Sequence, residues 1–286
     1  MLLRAKHTTT YLYTEPVSIC HTEVRLAPRE DRSQHLIEHN LTVLPQPERK
    51  FGHKDYFGNE VTYFSIHELH QTLTVASESL VEMDEPDPIE PWLTPRWEEA
   101  LGERWRYEDG HALKAYQFVF ESPRITPGPE FAEYAKSSFP ARRPLLEAAH
   151  DLSHRIHTDF RYDQEATNVA TSVAEVLESK SGVCQDFAHF MIACLRSLGL
   201  AARYVSGYLK TGDLIGSQAS HAWVSLFCPG FGWLDLDPTN DQLVNGNHIT
   251  LAYGRDYSDV APVKGVALGG GEQVVSVSVT VLPTSA

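Results

Sequence analysis

The stretch SGVCQDFAHFMIACLRSLGLAARYVSGYL, residues 181–209, decides the fold of this chain. Its apolar residues recur at intervals of three and four, which predicts a helix from Cys184 to about Leu198 with a broad buried face. Gly199 stands where a helix ends in a left-handed turn. The residues that follow, Ala202–Leu209, are rich in β-branched and aromatic side chains and predict a strand. A buried helix followed at once by a strand indicates a mixed α and β core.

Further strands are predicted after this core. In SHAWVSLFCPGFGWLDLDPTND, residues 220–241, Ala222–Phe227 and Trp233–Leu236 have the composition of strands, and the run PGFG between them predicts a turn. Farther on, Val275–Val281 alternates valine with serine or threonine, as a half-exposed antiparallel strand does.

Two helices are predicted ahead of the core. The first begins near Pro144 and presents an apolar stripe formed by Leu145, Ala149, Leu152, Ile156 and Phe160. The second is short and ends near Lys180. Ser172 and Glu175 form a capping-box pattern at its start, in which each side chain satisfies a backbone N–H. We therefore expect residues 144–286 to form an α+β unit.

The first third of the chain is predicted to be mostly β. The runs LRAKHTTTYLY, ICHTEVRLAP, LIEHNLTVLP, EVTYFSI and QTLTVASESLVE have the composition of short strands. We expect a β-rich, sandwich-like domain over residues 1–83. Residues 84–95, DEPDPIEPWLTP, hold four prolines among several carboxylates, a composition that neither a helix nor a central strand accepts. We interpret residues 84–143 as an acidic, proline-rich linker and helical connection.

Length, charge and composition exclude several classes of protein. The chain has 286 residues, of which 42% are hydrophobic and 22% charged, as in globular proteins. The formal net charge of −14 repels phosphate backbones, so a nucleic-acid partner is not expected.

Membrane and secretion signals are not apparent in the sequence. No apolar run approaches the roughly 18 residues of a membrane helix. The opening stretch MLLRAKHTTTYLY lacks the apolar core of a signal peptide, which predicts a cytoplasmic protein. Four widely spaced cysteines are not the pattern of a disulfide-rich secreted domain, so free thiols are expected.

Cys184 is the first candidate for chemistry. It lies in the first turn of the predicted buried helix, where unpaired N–H groups and the helix dipole favour a thiolate. A thiolate is the nucleophilic form of cysteine. The alternative is that Cys184 is a small buried hydrophobic residue, which is our interpretation of Cys194 in the middle of the apolar stripe.

His221 and Asp237 can complete a nucleophilic site with Cys184. His221 opens a predicted strand and can take or give a proton near neutral pH. Asp237 follows the next strand, and a hairpin between the two strands brings it back toward His221. There its carboxylate can accept the imidazole N–H and support the imidazolium. Asp186, two residues after the cysteine, is expected to cap the helix or to anchor a neighbouring strand.

Several separated stretches of the sequence resemble one known family. Residues 181–209 and 220–241 look like the core of the transglutaminase-like superfamily, in its bacterial branch of cysteine-protease-like proteins. HTTTYLYTEPV, EVRLAPR and DYFGNEVTYFSI resemble the β-rich N-terminal region that accompanies this branch. The resemblance implies a papain-like α+β fold, in which the helix that carries the cysteine packs on an antiparallel sheet. It also implies that Cys184, His221 and Asp237 are the catalytic triad.

One position departs from the family pattern. Asp235 lies two residues before Asp237 on the same strand face, where the family more often has a small or neutral residue. Either carboxylate can approach His221. The Asp-Pro-Thr pattern of the family favours Asp237, and we expect Asp235 to be a solvated strand residue.

Metal and cofactor sites are not expected. His150, His154 and His157 share a helix face with a spacing that can hold zinc, but the glutamate of a zinc protease is missing. The acidic run from Asp84 to Glu90 lacks the loop glycine of a calcium site. His189 lies about 140° around the helix from Cys184, so it is not expected to be the base.

The sequence therefore predicts an enzyme that forms an acyl-enzyme on Cys184. Hydrolysis of a peptide or small amide is the preferred reaction, and transfer of the acyl group to an amine is the alternative. A third hypothesis is a peptide-binding module without catalytic activity. Tyr162 and Gln164 are candidates for the second oxyanion donor, beside the Cys184 backbone N–H.

Overall fold

The structure of the protein is a computed structural model, which describes residues 1–85, 87–101 and 110–284. The described residues form two antiparallel sheets, a short parallel pair of strands and a group of helices. The strands are β1 Leu2–Val24, β2 Gln34–Leu44, β3 Arg49–Lys54, β4 Glu60–Ile66, β5 His70–Met83, β6 Arg161–Tyr162, β7 Ser181–Gly182, β8 Ala202–Leu209, β9 His221–Cys228, β10 Gly232–Asp237, β11 Gln242–Leu243, β12 His248–Gly254, β13 Val263–Gly269 and β14 Gln273–Pro283. The α-helices are α1 Gly110–Tyr116, α2 Pro129–Lys136, α3 Leu145–Asp159, α4 Val173–Ser179, α5 Cys184–Ser197 and α6 Tyr257–Val260.

The first sheet curls around the long strand β1. Strand order is β2-β5-β1-β4-β3, and β13 and β14 also pair with β1. The first half of β1 lies between β5 and β14, whereas its second half lies between β4 and β13. The pairing with β5 shifts between Leu12 and Val17, where the strand changes partners. The expected β-rich N-terminal region is therefore confirmed.

The second sheet has the order β11-β10-β9-β8-β12 and carries helix α5 on one face. Residues 187–195 of α5 are buried, and the alternating side chains that β8, β9 and β10 direct to the same core are Ala202, Tyr204, Ala222, Val224, Leu226, Leu234 and Leu236. Gly199 adopts a φ of 83°, as expected for the turn that ends the helix. The predicted α+β, papain-like fold class is confirmed.

The stretch predicted as a linker contributes to this helical core. Phe131 and Ala135 lie four residues apart on α2, and both are buried against α5. Residues 86 and 102–109 of the predicted linker lie outside the described residues. The division at residues 83 and 143 stays a prediction.

The last strand joins the first sheet rather than the second. β14 contains the predicted strand Val275–Val281 and pairs with β1 along residues 3–13. Val281 is buried in a cluster that also holds Leu3 from β1, and Tyr208 and Ile249 from the second sheet. The two ends of the chain thus pack together against the second sheet.

No α-helix among the described residues is both long enough and apolar enough to cross a membrane.

Candidate active site

Cys184 is the first residue of α5 and lies close to the surface of the core. The short parallel pair β6–β7 places Tyr162 opposite Gly182, directly before the helix. Asp186 caps the helix as expected: its Oδ2 accepts the Val183 N–H at 2.8 Å and the Thr167 hydroxyl at 2.6 Å. Cys184 is 8% exposed, whereas Cys194 in the same helix is fully buried. The arrangement fixes the start of the helix at the cysteine.

His221 and Asp237 meet at the ends of neighbouring strands. β9 begins at His221 and pairs with β10, which ends at Asp237. His221 Nε2 lies 2.8 Å from Asp237 Oδ2, and both side chains are buried. Because Asp237 takes the Nε2 side of the ring, Nδ1 is left for another partner. Nδ1 is buried and makes no hydrogen bond of regular geometry among the described residues, while the His221 ring interacts with the Cys184 side chain.

The charges around His221 favour its protonated form. Burial opposes protonation, but the Asp237 carboxylate and the Cys184 thiolate outweigh it and raise the pKa of His221 to about 10. Burial likewise favours a neutral Asp237, yet His221 and His248 hold the pKa of that carboxyl below its usual range. The three predicted residues therefore interact electrostatically, and the arrangement can hold an imidazolium between a thiolate and a carboxylate.

Asp237 is held by groups that sequence reasoning missed. Its Oδ1 accepts the backbone N–H of Thr239 at 3.0 Å, and its Oδ2 accepts Asn240 Nδ2 at 2.8 Å. His248 Nε2 lies 3.4 Å from Oδ2. The Asn245 N–H donates to His248 Nδ1, so Nε2 carries the proton that points at Asp237. The carboxylate is fixed by several donors besides His221.

Asn240 and His248, the two side chains that the sequence analysis missed, differ in whether a sequence pattern points to them. Asn240 follows directly after the Asp-Pro-Thr run and could have been suspected from that proximity. His248 comes from β12, at the opposite edge of the sheet order from β11, and no sequence pattern connects it with Asp237.

The expectation that Asp235 is solvated is wrong. Asp235 is half-buried and pairs with Ser225 on β9, which in turn pairs with Arg203 on β8. Burial raises the pKa of Asp235, and the nearby Arg203 guanidinium opposes that rise. Arg203 is itself enclosed, with its guanidinium 4.0 Å from the Trp233 ring centroid and 3.6 Å from that of Tyr253. The aromatic rings keep this part of the sheet face away from water.

Tyr162 lies near Cys184, and Gln164 is a hydrogen-bond partner of Tyr162. Burial raises the pKa of the Tyr162 hydroxyl, the Cys184 thiolate raises it further, and a hydrogen bond with Gln164 partly opposes the rise. The Tyr162 side chain is half-buried. The Tyr162 hydroxyl thus lies on the β6 side of the helix start.

Three of the other histidines singled out from the sequence have their own partners. His154 Nδ1 lies 2.7 Å from Asp241 Oδ2, and His157 Nδ1 donates to the Thr239 carbonyl at 2.9 Å. His189 Nε2 accepts the Tyr257 N–H at 3.1 Å, and burial lowers its pKa. Within the described ranges, no group of three or more His, Cys, Asp or Glu side chains is arranged to hold a metal ion.

A separate cavity of about 280 Å³ lies between α2 and the start of α4. Its lining includes Arg124, Glu130, Phe131, Thr171 and Val173. Cys184, His221 and Asp237 do not line it.

Comparison with known proteins agrees with this architecture. The family model of the bacterial transglutaminase-like N-terminal region matches residues 3–82, and that of the transglutaminase-like superfamily core matches residues 133–238. The uncharacterized protein Rv2569c of Mycobacterium tuberculosis is 42% identical over 295 residues, which cover 98% of this chain and 92% of the relative.

Two further matches concern a structure and an enzyme. A crystal structure from Cytophaga hutchinsonii, described as a candidate cysteine protease, superposes with a TM-score of 0.78 at 22% identity, covering 100% of this chain and 92% of that one. The protein-glutamine gamma-glutamyltransferase of Pseudomonas aeruginosa is 32% identical over 100 residues, which cover 31% of this chain and 15% of the relative. The chain belongs to the transglutaminase-like superfamily and carries the bacterial N-terminal region of that family.

Proposed function

We propose that the protein is a thiol-dependent hydrolase of amide or peptide bonds, with Cys184 as nucleophile, His221 as acid and base, and Asp237 as the group that orients His221. The observation that carries the proposal is the 2.8 Å contact between His221 Nε2 and Asp237 Oδ2, which leaves Nδ1 for Cys184. The raised pKa of His221 supports an imidazolium beside a thiolate.

The reaction then follows in two steps. The Cys184 thiolate attacks the acyl carbon, and the His221 imidazolium gives its Nδ1 proton to the leaving nitrogen as the C–N bond breaks. This releases an amine and leaves a thioester on Cys184. Neutral His221 next takes a proton from water as the water oxygen attacks the thioester, so that a carboxylic acid leaves and the thiolate–imidazolium pair is restored.

Charge develops on the acyl oxygen in both steps. The Cys184 backbone N–H, at the start of a helix, is one donor for this oxyanion in the proposal. Tyr162 or Gln164 supplies the second, since Tyr162 interacts with Cys184 and Gln164 is hydrogen-bonded to Tyr162. Loss of one such donor typically lowers turnover about 10²–10³-fold.

Transfer of the acyl group to an amine is the second candidate. The observation that favours it is the match to a relative named as a protein-glutamine gamma-glutamyltransferase, which covers 31% of this chain. We prefer hydrolysis because the match to the transferase covers only 15% of that enzyme's length and so carries little of it beyond a shared segment. A peptide or a small amide, with no nucleic acid and no membrane, is the proposed partner, and no cofactor or metal is part of the proposal.

The experiment is a product analysis by mass spectrometry. The protein is incubated with a peptide library, with and without a labelled primary amine. Hydrolysed peptides should dominate in both samples, and amine incorporation that outruns hydrolysis would favour the transferase.

Two variants complete this test. Cys184→Ala should abolish either activity while the protein stays folded, because alanine fits at a helix start. Cys20→Ala, which removes a buried thiol from the first sheet, is the matched control and should keep the activity. A folded wild-type protein that binds peptides and releases no product would support the binding module.

A further inference from the structure

The loop between β8 and β9, residues 210–220 and here called the cover loop, lies against the His221 ring. Gly216 in this loop has a φ of 86°, and a Cβ added there would lie 2.7 Å from His221 Nδ1. The backbone of the cover loop therefore approaches the ring nitrogen that the proposed function assigns to Cys184. Glycine is required at this point by both the conformation and the space.

The ends of the cover loop are tied to the rest of the protein by backbone groups. The Lys210 N–H donates to the Asn247 carbonyl at 2.8 Å, and the Thr211 N–H donates to the Val281 carbonyl at 2.9 Å. At the other end, the Val279 N–H donates to the Gln218 carbonyl at 3.0 Å. The middle of the loop, around Ile215, is not part of these ties.

Asn240 holds the middle of the cover loop through its side-chain amide. The Ile215 N–H donates to Asn240 Oδ1 at 2.9 Å, and Asn240 Nδ2 donates to the Ile215 carbonyl at 3.2 Å. The same Nδ2 donates to Asp237 Oδ2 at 2.8 Å. An amide side chain has two N–H donors, and here one serves the loop and the other serves the carboxylate.

The planarity of the amide makes these three contacts dependent on one another. Once Ile215 engages both the oxygen and the nitrogen of Asn240, the plane of the amide is fixed, and with it the direction of the remaining N–H. That direction is toward Asp237 Oδ2. Release of Ile215 frees the amide to rotate and weakens its hold on the carboxylate.

We infer that Asn240 is a positioning residue that couples closure of the cover loop over His221 to the orientation of the Asp237 carboxylate. The inference rests on the proposed function for its effect on turnover. With the loop closed, Asn240 helps to aim Asp237 at His221 Nε2. With the middle of the loop lifted from the ring, a substrate gains room beside Cys184 and His221.

The test compares how fast a small and a bulky thiol reagent modify Cys184, a measurement that needs no substrate. Iodoacetamide is the small reagent, and a fluorescein-linked iodoacetamide is the bulky one. Modification at Cys184 is followed by mass spectrometry, and the thermal midpoint of each variant is recorded. The ratio of the bulky rate to the small rate reports how often the cover loop is open.

Asn240→Ala removes both hydrogen bonds to Ile215, so the ratio should rise roughly tenfold or more. Asn240→Asp keeps the size of the side chain but turns an oxygen toward the Ile215 carbonyl and toward Asp237. Asn240→Asp should also raise the ratio, and it replaces Asn240→Ala in the test if the alanine variant does not fold. Asn247→Ala is the control, because within the described residues the Asn247 side chain makes no hydrogen bond, and its ratio should stay at the wild-type value.

Turnover on a hydrolysed peptide, if one is found, should fall in both Asn240 variants through a lower kcat. An unchanged ratio in a folded Asn240→Ala or Asn240→Asp variant would overturn the inference. Equal changes in the two alkylation rates, together with a lowered thermal midpoint, would also overturn the inference. That pattern indicates a general loss of structure rather than opening of the cover loop. Failure to find any peptide product would count against the proposed function and leave the reagent ratio as a valid measurement of the coupling.

Discussion

Asp235 and Asp237 stand two residues apart on β10, yet they have different surroundings. Asp237 receives hydrogen bonds from backbone and side-chain donors and contacts His221, and its pKa is lowered. Asp235 is half-buried and lies near the buried Arg203 in a row across the sheet, and burial raises its pKa. The position of a carboxylate relative to the end of the strand thus decides which role it can take.

Replacing each carboxylate by its amide should separate the two roles. Asp237→Asn should lower kcat roughly 10²–10⁴-fold, because an amide no longer accepts from every donor around it and stabilises the wrong tautomer of His221. Asp235→Asn should change kcat only weakly. Steady-state kinetics of both variants on one peptide substrate check this prediction. A larger loss of kcat for Asp235→Asn would assign the orientation of His221 to Asp235 instead.

The positions of single residues at the ends of helices and strands could be predicted where the neighbouring sequence determines them. A cysteine in the first turn of a buried helix, and a histidine and an aspartate at the ends of strands joined by a tight turn, are visible in the sequence order. His248 and Gly216 were not predicted, because their relation to Asp237 and His221 depends on sheet pairing and on the path of a loop. The catalytic roles themselves stay a prediction.

At the scale of elements, periodicity and capping were sufficient for the helices around the site. The structure starts α5 at Cys184 and ends it at Ser197, within one residue of the expected end. The capping box of Ser172 and Glu175 is formed as predicted: Ser172 N–H donates to Glu175 Oε2 at 2.8 Å, and Glu175 N–H donates to Ser172 Oγ at 3.3 Å. These signals are local, so one sequence is enough to read them.

Strand β1 is longer than the sequence predicts, because its length depends on pairing with distant parts of the chain. The sequence predicts two short strands there, broken near Pro16, whereas the structure has one strand of 23 residues. Pro16 falls where the pairing with β5 shifts, a place at which a missing backbone donor is tolerated. The two halves are joined because each half has partners from distant parts of the chain, and such pairing cannot be read from the strand itself.

At the scale of the whole molecule, β14 connects the end of the chain to its beginning and to the second sheet. Val281 has no exposed surface and packs in the cluster that contains Leu3, Tyr208 and Ile249, whereas Val277 on the same strand is 43% exposed. A sequence pattern of alternating valines predicts the strand, but it does not say which sheet the strand joins. That choice follows from long-range packing.

This contrast gives a stability prediction with an internal control. Val281→Ala should lower the free energy of unfolding by about 1–3 kcal/mol, because it removes buried methyl groups and leaves a cavity where the two sheets meet. Val277→Ala should change it by less than about 0.5 kcal/mol. Urea unfolding of both variants is the measurement, and equal midpoints would contradict the packing described for β14.

The central claim of the proposed function is that Cys184 is an activated nucleophile beside a protonated His221 at neutral pH. Since the pKa of His221 is raised to about 10, the imidazolium persists beside Cys184 below that pH. The other three cysteines are buried with raised pKa values, that of Cys228 being about 12. Cys184 should therefore be the thiol that reacts first in acidic and neutral solution.

The rate of iodoacetamide modification, measured at each cysteine from pH 6 to pH 10, tests this claim most directly. The account predicts fast modification of Cys184 at pH 6 in the wild-type protein and a loss on the order of 10²-fold in His221→Gln at that pH, since an ordinary thiol is almost fully protonated there. The two proteins should converge toward pH 10. Equal rates for all four cysteines at pH 6, or a His221→Gln variant that reacts as fast as the wild type, would contradict it.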